Sequence, residues 1–116
     1  MAHHEAPDPE QIPFLEFGLE FEFAVSTDEN GAPLPDTEWS TQRISAGVGQ
    51  AAFDLAVLNL YANRRAMVWQ PHVRSCNLIW SEPVHWATWP NDSLPPDPNA
   101  ANYDENGQPI TGDTNA

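Results

Sequence analysis

Apolar side chains occupy every second position from Leu15 to Val25. Leu15, Phe17, Leu19, Phe21, Phe23 and Val25 alternate with a row that holds Glu16, Glu20 and Glu22. A period of two predicts a β-strand with the six apolar residues on one face and the carboxylates on the other. At roughly 3.3 Å per residue the run 14–25 would be about 40 Å long, twice a usual strand, so Gly18 is expected to mark a bulge or bend that divides it. Burying the six side chains could contribute roughly 9 to 18 kcal/mol before entropy is counted. Such a face needs a second layer to cover it.

The covering layer is expected in residues 40–65, "STQRISAGVGQAAFDLAVLNLYANRR". Ser40 or Thr41 can cap a helix there, and Ile44, Val48, Ala52, Leu55, Leu58 and Ala62 recur at helical spacing. Phe53, Val57, Leu60 and Tyr61 make a second stripe, so the helix is apolar nearly all round, the mark of an element that is buried or shared with a neighbour. Gly47 and Gly49 each cost about 1 kcal/mol inside a helix. Either the helix starts after them or they permit close contact with another backbone. Residues 44–63 carry one charge, but Gln50, Asp54, Asn59 and Asn63 argue against a membrane span.

Further on, "AMVWQ" (66–70), "VRSCNLIW" (73–80) and "VHWATW" (84–89) have the composition of short strands, separated by Pro71 and a Ser-Glu-Pro turn. The expected fold class is therefore α+β: a small antiparallel sheet of three to five strands packed on one long, largely apolar helix. Residues 1–11 and 90–116 are rich in Pro, Asn, Asp and Gly and poor in large apolar side chains, so they are expected to be extended or disordered arms. The first is a flexible acidic N-terminal arm, the second a Pro/Asn/Asp-rich tail, and residues 12–89 form the single domain between them. A core that small gives modest stability, and help from an association partner is common at this size.

Charge sharpens the picture. The 116-residue chain has a net charge of −13, no lysine, and four arginines: Arg43, Arg64, Arg65 and Arg74. Ten of its 17 acids precede Trp39 and five follow Trp89, which leaves the middle nearly uncharged. Direct binding to nucleic-acid phosphates is disfavoured. The N-terminus lacks the basic-then-apolar pattern of a secretion signal and the lone Cys76 has no internal partner, so a cytoplasmic protein is the default expectation. One motif repeats: "DENGAPLPDT" at 28–37 returns as "DENGQPITGDT" at 104–114. Asn-Gly between acids suits a tight turn, and the echo is too short for duplicated domains.

Sites for chemistry are weak. His72, Cys76, His85 and His3 or His4 match no standard zinc spacing, and the glycine of the Asp28 turn comes too early for a calcium loop. If Met1 is removed, Ala2-His3-His4 could bind copper or nickel adventitiously. "SAGVGQ" lacks the context and lysine of a phosphate loop. Cys76 with His72 or His85 is more simply packing than a nucleophile and base. Glu20 and Glu22, about 7 Å apart on one strand face, are more simply a solvated row than an acid and base pair. No catalytic residue, metal or cofactor is expected.

Four of the five tryptophans, Trp69, Trp80, Trp86 and Trp89, crowd beside Arg64, Arg65 and Arg74. Trp and Arg are enriched where proteins meet, so these seven residues are the expected partner-binding set. The function these features favour is a non-enzymatic structural or interaction subunit, a homo-oligomer or part of a larger protein assembly. A phage-type virion accessory protein, connector or decoration, has this general character, which makes cytoplasm or virion the expected location. The alternative is an acidic, nucleic-acid-mimicking inhibitor of the anti-defence type that blocks a partner's basic groove. Neither reading involves a membrane.

Overall fold

The computed structural model describes residues 5–82, 85–104 and 108–110. They form an α+β fold in which a four-stranded antiparallel sheet carries one helix. The strands are β1 (Glu16–Ala24), β2 (Trp39–Val48), β3 (Val73–Glu82) and β4 (His85–Thr88), in the spatial order β2-β1-β3-β4. Helix α1 (Gln50–Ala66) leaves the end of β2 and returns the chain to β3. β1 thus lies at the centre, antiparallel to both neighbours. Its alternating pattern delivers Phe17 and Leu19 to the core, where they meet Ala56, Val57 and Leu60 of α1 and Leu78 of β3.

Gly18 has the expected role and a clear cause. The β1–β2 register shifts between Phe17 and Gly18, because Ala46 is an extra residue on β2. The two backbones come so close there that a Cβ on Gly18 would overlap the Ile44 carbonyl oxygen. A second shift, between Glu22 and Phe23, inserts Arg74 on the β3 side. Toward this end the apolar row loses cover: Phe21 and Phe23 are half-buried, and Val25 lies outside the strand and is exposed.

The chain departs from expectation at residues 40–48, which form β2 and not the first turns of a helix. Gly47 and Gly49 have φ of 116° and 96°, a left-handed geometry that ends the strand and that no right-handed helix can contain. The helix therefore begins after the glycines, at Gln50. Ser40 and Thr41 cap nothing, and Ile44 and Val48 are exposed on β2. Of the two apolar stripes, the sheet takes mainly the second, together with Ala52 of the first. Ala52, Ala56, Val57 and Leu60 are buried and Phe53 is partly so, whereas Leu55, Leu58 and Ala62 face outward. "AMVWQ" is likewise not a strand: Ala66 ends α1, and Met67–Trp69 continue as a 3₁₀ turn.

The chain on either side of the sheet is extended with short 3₁₀ turns, and much of it touches the domain. At the N-terminal end the turn Pro9–Phe14 seats Ile12 in the core, and Ala6 packs beside it. Past Trp89, Leu94 packs against the core and residues 95–103 follow α1. Both copies of the repeated motif bend alike. Asp28 N–H donates to Ala32 O, and Asp28 Oδ1 accepts from Ala32 N–H, with Thr27 bridged to Pro33. Asp104 and Gln108 make the same pair of bonds, with Tyr103 bridged to Pro109. Residues 105–107 and 111–114 of the second copy, like His3, His4, Pro83 and Val84, lie outside the described residues.

Candidate functional site

The outer face of the sheet, away from α1, carries the acidic row. Arg43 Nε donates to Glu20 Oε2 at 2.9 Å from β2, and Arg74 grips Glu22 from β3 with two bonds of 2.8 Å. Ser45 donates its hydroxyl to Glu16 at 2.6 Å. Arg74 also lies over the ring of Trp39, 4.2 Å from its centre and well within the roughly 6 Å reach of a cation–π contact. The guanidinium holds the Glu22 carboxyl below the usual carboxylate range, and Arg74 is itself raised by the same bonds. Each of the three glutamates thus has a cationic or hydroxyl partner on an adjacent strand.

Where β4 is too short to cover β3, an open cleft of about 400 Å³ is lined by Arg64, Met67, Arg74, Ser75, Cys76, Asn77 and Asn91. Arg64 spans it from α1. Its Nε donates to the Cys76 carbonyl at 2.8 Å, and one terminal nitrogen donates to Asn77 Oδ1 and Asn91 Oδ1 at 3.2 Å each. The guanidinium therefore satisfies a β3 carbonyl that has no strand partner. Burial pushes the Cys76 thiol up to about 11, which leaves it protonated and a poor nucleophile near neutral pH. Among the described residues, no three His, Cys, Asp or Glu side chains converge as a metal site.

The expected partner-binding residues are dispersed. Arg64 and Arg74 meet at this cleft. Arg65 belongs to the tail: it pairs with Asp97 at 2.6 Å and lies 4.0 Å from the ring centre of Tyr103, while Tyr61 donates to the Pro95 carbonyl at 2.7 Å. Trp89 is in the core, its ring 5.6 Å from that of Phe53 and its Nε1 donating to Ser93 O. Trp80 lies opposite Phe17 on the helix side of the sheet and is half-buried. Trp86, also half-buried, is opposite Ser81 on the other face. Trp69 is exposed on the turn after α1. The four rings do not share one surface.

Further apolar exposure lies on β2 and near it, besides that of Val68 and Trp69 on the turn after α1. Ile44 is 51% and Val48 65% exposed on the strand, Leu55 47% on the helix above, and Phe14, before β1, 80%. Ile44 pairs with Leu19 and lies on the helix side of β2, whereas Val48 pairs with Glu16 and lies on the outer side. Ala52 of α1 sits against Gly47, so the flank of α1 that carries Leu55 overhangs β2, and Gly49 N–H bonds to Leu15 O next to Phe14. Residues 39–53 contain one charge, Arg43, and no acid, in a chain with 17 acids. The uncharged middle of the sequence was the available signal for this flank. It is hidden by the helical spacing of Ile44, Val48, Ala52 and Leu55, which predicts a single stripe where the chain forms a strand and a helix side by side.

No helix among the described residues is long and apolar enough to cross a membrane. No protein-family model matches the chain, and neither a curated protein nor a solved structure matches it.

Proposed function

We propose that the protein is a non-enzymatic structural or interaction subunit of a larger protein assembly, of the general kind that accessory, connector or decoration proteins of phage virions represent. The observation that carries this reading is the apolar exposure at the sheet edge formed by β2, a strand with no acid of its own. A monomer with Ile44 and Val48 exposed on that edge strand leaves surface that association would cover. The extreme acidity of the remaining surface keeps such a subunit soluble and directs contact to that flank.

The acidic row fits a supporting part better than nucleic-acid mimicry. Duplex DNA presents about one charge per 1.7 Å of axis, so more than twenty along about 40 Å, against three glutamates of which two are paired with arginine. Mass spectrometry of the protein isolated from its native source tests the reading. The expected result is a stoichiometric protein partner or particle retained at about 0.5 M salt, where screening has removed most electrostatic attachment. Release of the partner by that salt, together with competition by DNA, would overturn it in favour of an acidic inhibitor.

A further inference from the structure

β2 is the edge of the sheet, and the direction of its backbone groups can be worked out. Val25 N–H donates to Glu38 O, so Glu38 turns its polar groups toward β1. In an antiparallel ladder this alternates, and the register is unbroken from Ala24 opposite Trp39 to Gly18 opposite Ser45. Ser40, Gln42 and Ile44 therefore also bond inward. Trp39, Thr41, Arg43 and Ser45 point their N–H and C=O groups away from the sheet, where no strand of the described residues meets them. A second strand added at this edge would satisfy the outward backbone groups it overlaps.

We propose that the added strand is β2 of a second copy of this chain, antiparallel across a two-fold axis at Ile44, which joins two four-stranded sheets into one of eight. Two properties select the occupant. The chain carries −13, so most pairings of two copies oppose acid to acid, yet residues 39–53 bring no acid to the contact. An antiparallel edge is also complementary to itself, as a two-fold interface requires.

The register follows from charge and burial. Outward residues must pair with outward residues, so the axis passes through Gln42, Arg43, Ile44 or Ser45. An axis at Arg43 sets two like charges directly opposite each other. At Gln42 it places Ile44 against Ser40, and at Ser45 it shortens the overlap toward the Ala46 bulge. At Ile44 it sets Ile44 against its copy on the helix side and pairs the outward groups of Arg43 with those of Ser45, while Trp39 and Thr41 fall opposite Gly49 and Gly47, whose N–H groups already bond Leu15 O and Ser45 Oγ. Ile44 would then be a non-hydrogen-bonded pair, the closer of the two antiparallel spacings, with Cα atoms about 4.5 Å apart.

The inference rests on the assembly-subunit reading and names the partner of the same flank. The test uses the purified full chain. Sedimentation equilibrium is expected to give a dimer, twice the 12.9 kDa chain mass. Ile44→Cys is expected to form a covalent dimer under mild oxidation, since about 4.5 Å lies within the Cα range of a disulfide. Gln42→Cys, which faces Ala46 in this register, is not expected to do so, and the buried Cys76 gives no background. Ile44→Lys is expected to weaken the dimer roughly a hundredfold while thermal unfolding of the dilute protein stays unchanged, because position 44 is exposed within one copy. A wild-type monomer at tens of micromolar, or a dimer in which Ile44→Cys fails to cross-link, would overturn the inference. Either result leaves the subunit reading to stand on a different native partner, whereas native isolation with no protein partner defeats that reading alone.

Discussion

At the residue scale the outer sheet face turns on Arg74, the extra residue of the β3 bulge. The bulge places its guanidinium between Glu22 and the Trp39 ring, so one side chain joins all three of the longer strands. The pH dependence follows from Glu22. Its folded pKa lies below the ordinary 4.5, chiefly through the hydrogen bond from Arg74, so the pair contributes above the ordinary value and is lost as pH falls through the lowered one. The energy is small because both groups are open to water, and the position of the titration is the better observable. A carboxyl-detected NMR titration is expected to find Glu22 protonating at lower pH than in the Arg74→Gln variant, in which it returns to the ordinary range. Equal midpoints would mean that the pair does not persist in solution.

At the element scale, the helix has two apolar faces and the sheet uses the one with Phe53, Val57 and Leu60. The choice can be checked with one charge placed on each face. Val57→Asp is expected to cost roughly 3 to 5 kcal/mol in urea unfolding, because an unpaired carboxylate replaces a buried methyl pair. Leu55→Asp is expected to stay within about 1 kcal/mol in dilute protein, since that position faces solvent in one copy. The reverse order would turn α1 over. How far these elements are legible depends on local pattern. β1 is, because strict alternation has one geometric meaning, and Gly18 is, because so long a strand needs a break. The single helix and the strands at residues 73–80 and 84–89 are legible on the same grounds. β2 is not: its outer face is Thr41, Arg43 and Ser45, its inner face has only Ile44 as a large apolar side chain, and edge position removes the need for more. Which face of α1 turns inward is settled by the sheet and not by the helix itself. The tryptophans illustrate the same limit, since Trp89 is buried by a ring 36 residues earlier and Trp69 is left exposed by the turn that follows α1.

At the scale of the whole molecule, charge and apolar surface are separated. Most acids lie in the arms, on the outer sheet face and in the turns, where bonds from Arg65, Arg43 and Arg74 fasten some of them; β2 has none, and α1 has only Asp54. This separation gives association a salt dependence of definite sign. Two copies joined along β2, which has no acid, gain backbone hydrogen bonds and apolar contact, which salt does not screen, while the repulsion between two bodies of −13 each is screened. Between about 50 mM and 500 mM sodium chloride the Debye length falls from roughly 14 to 4 Å, less than the separation of most charges on the two copies. The dimer dissociation constant from sedimentation is therefore expected to fall as salt rises. Attachment of the acidic surface to a basic groove would weaken over the same range, so the direction of the change alone separates association through the β2 flank from association through the acids.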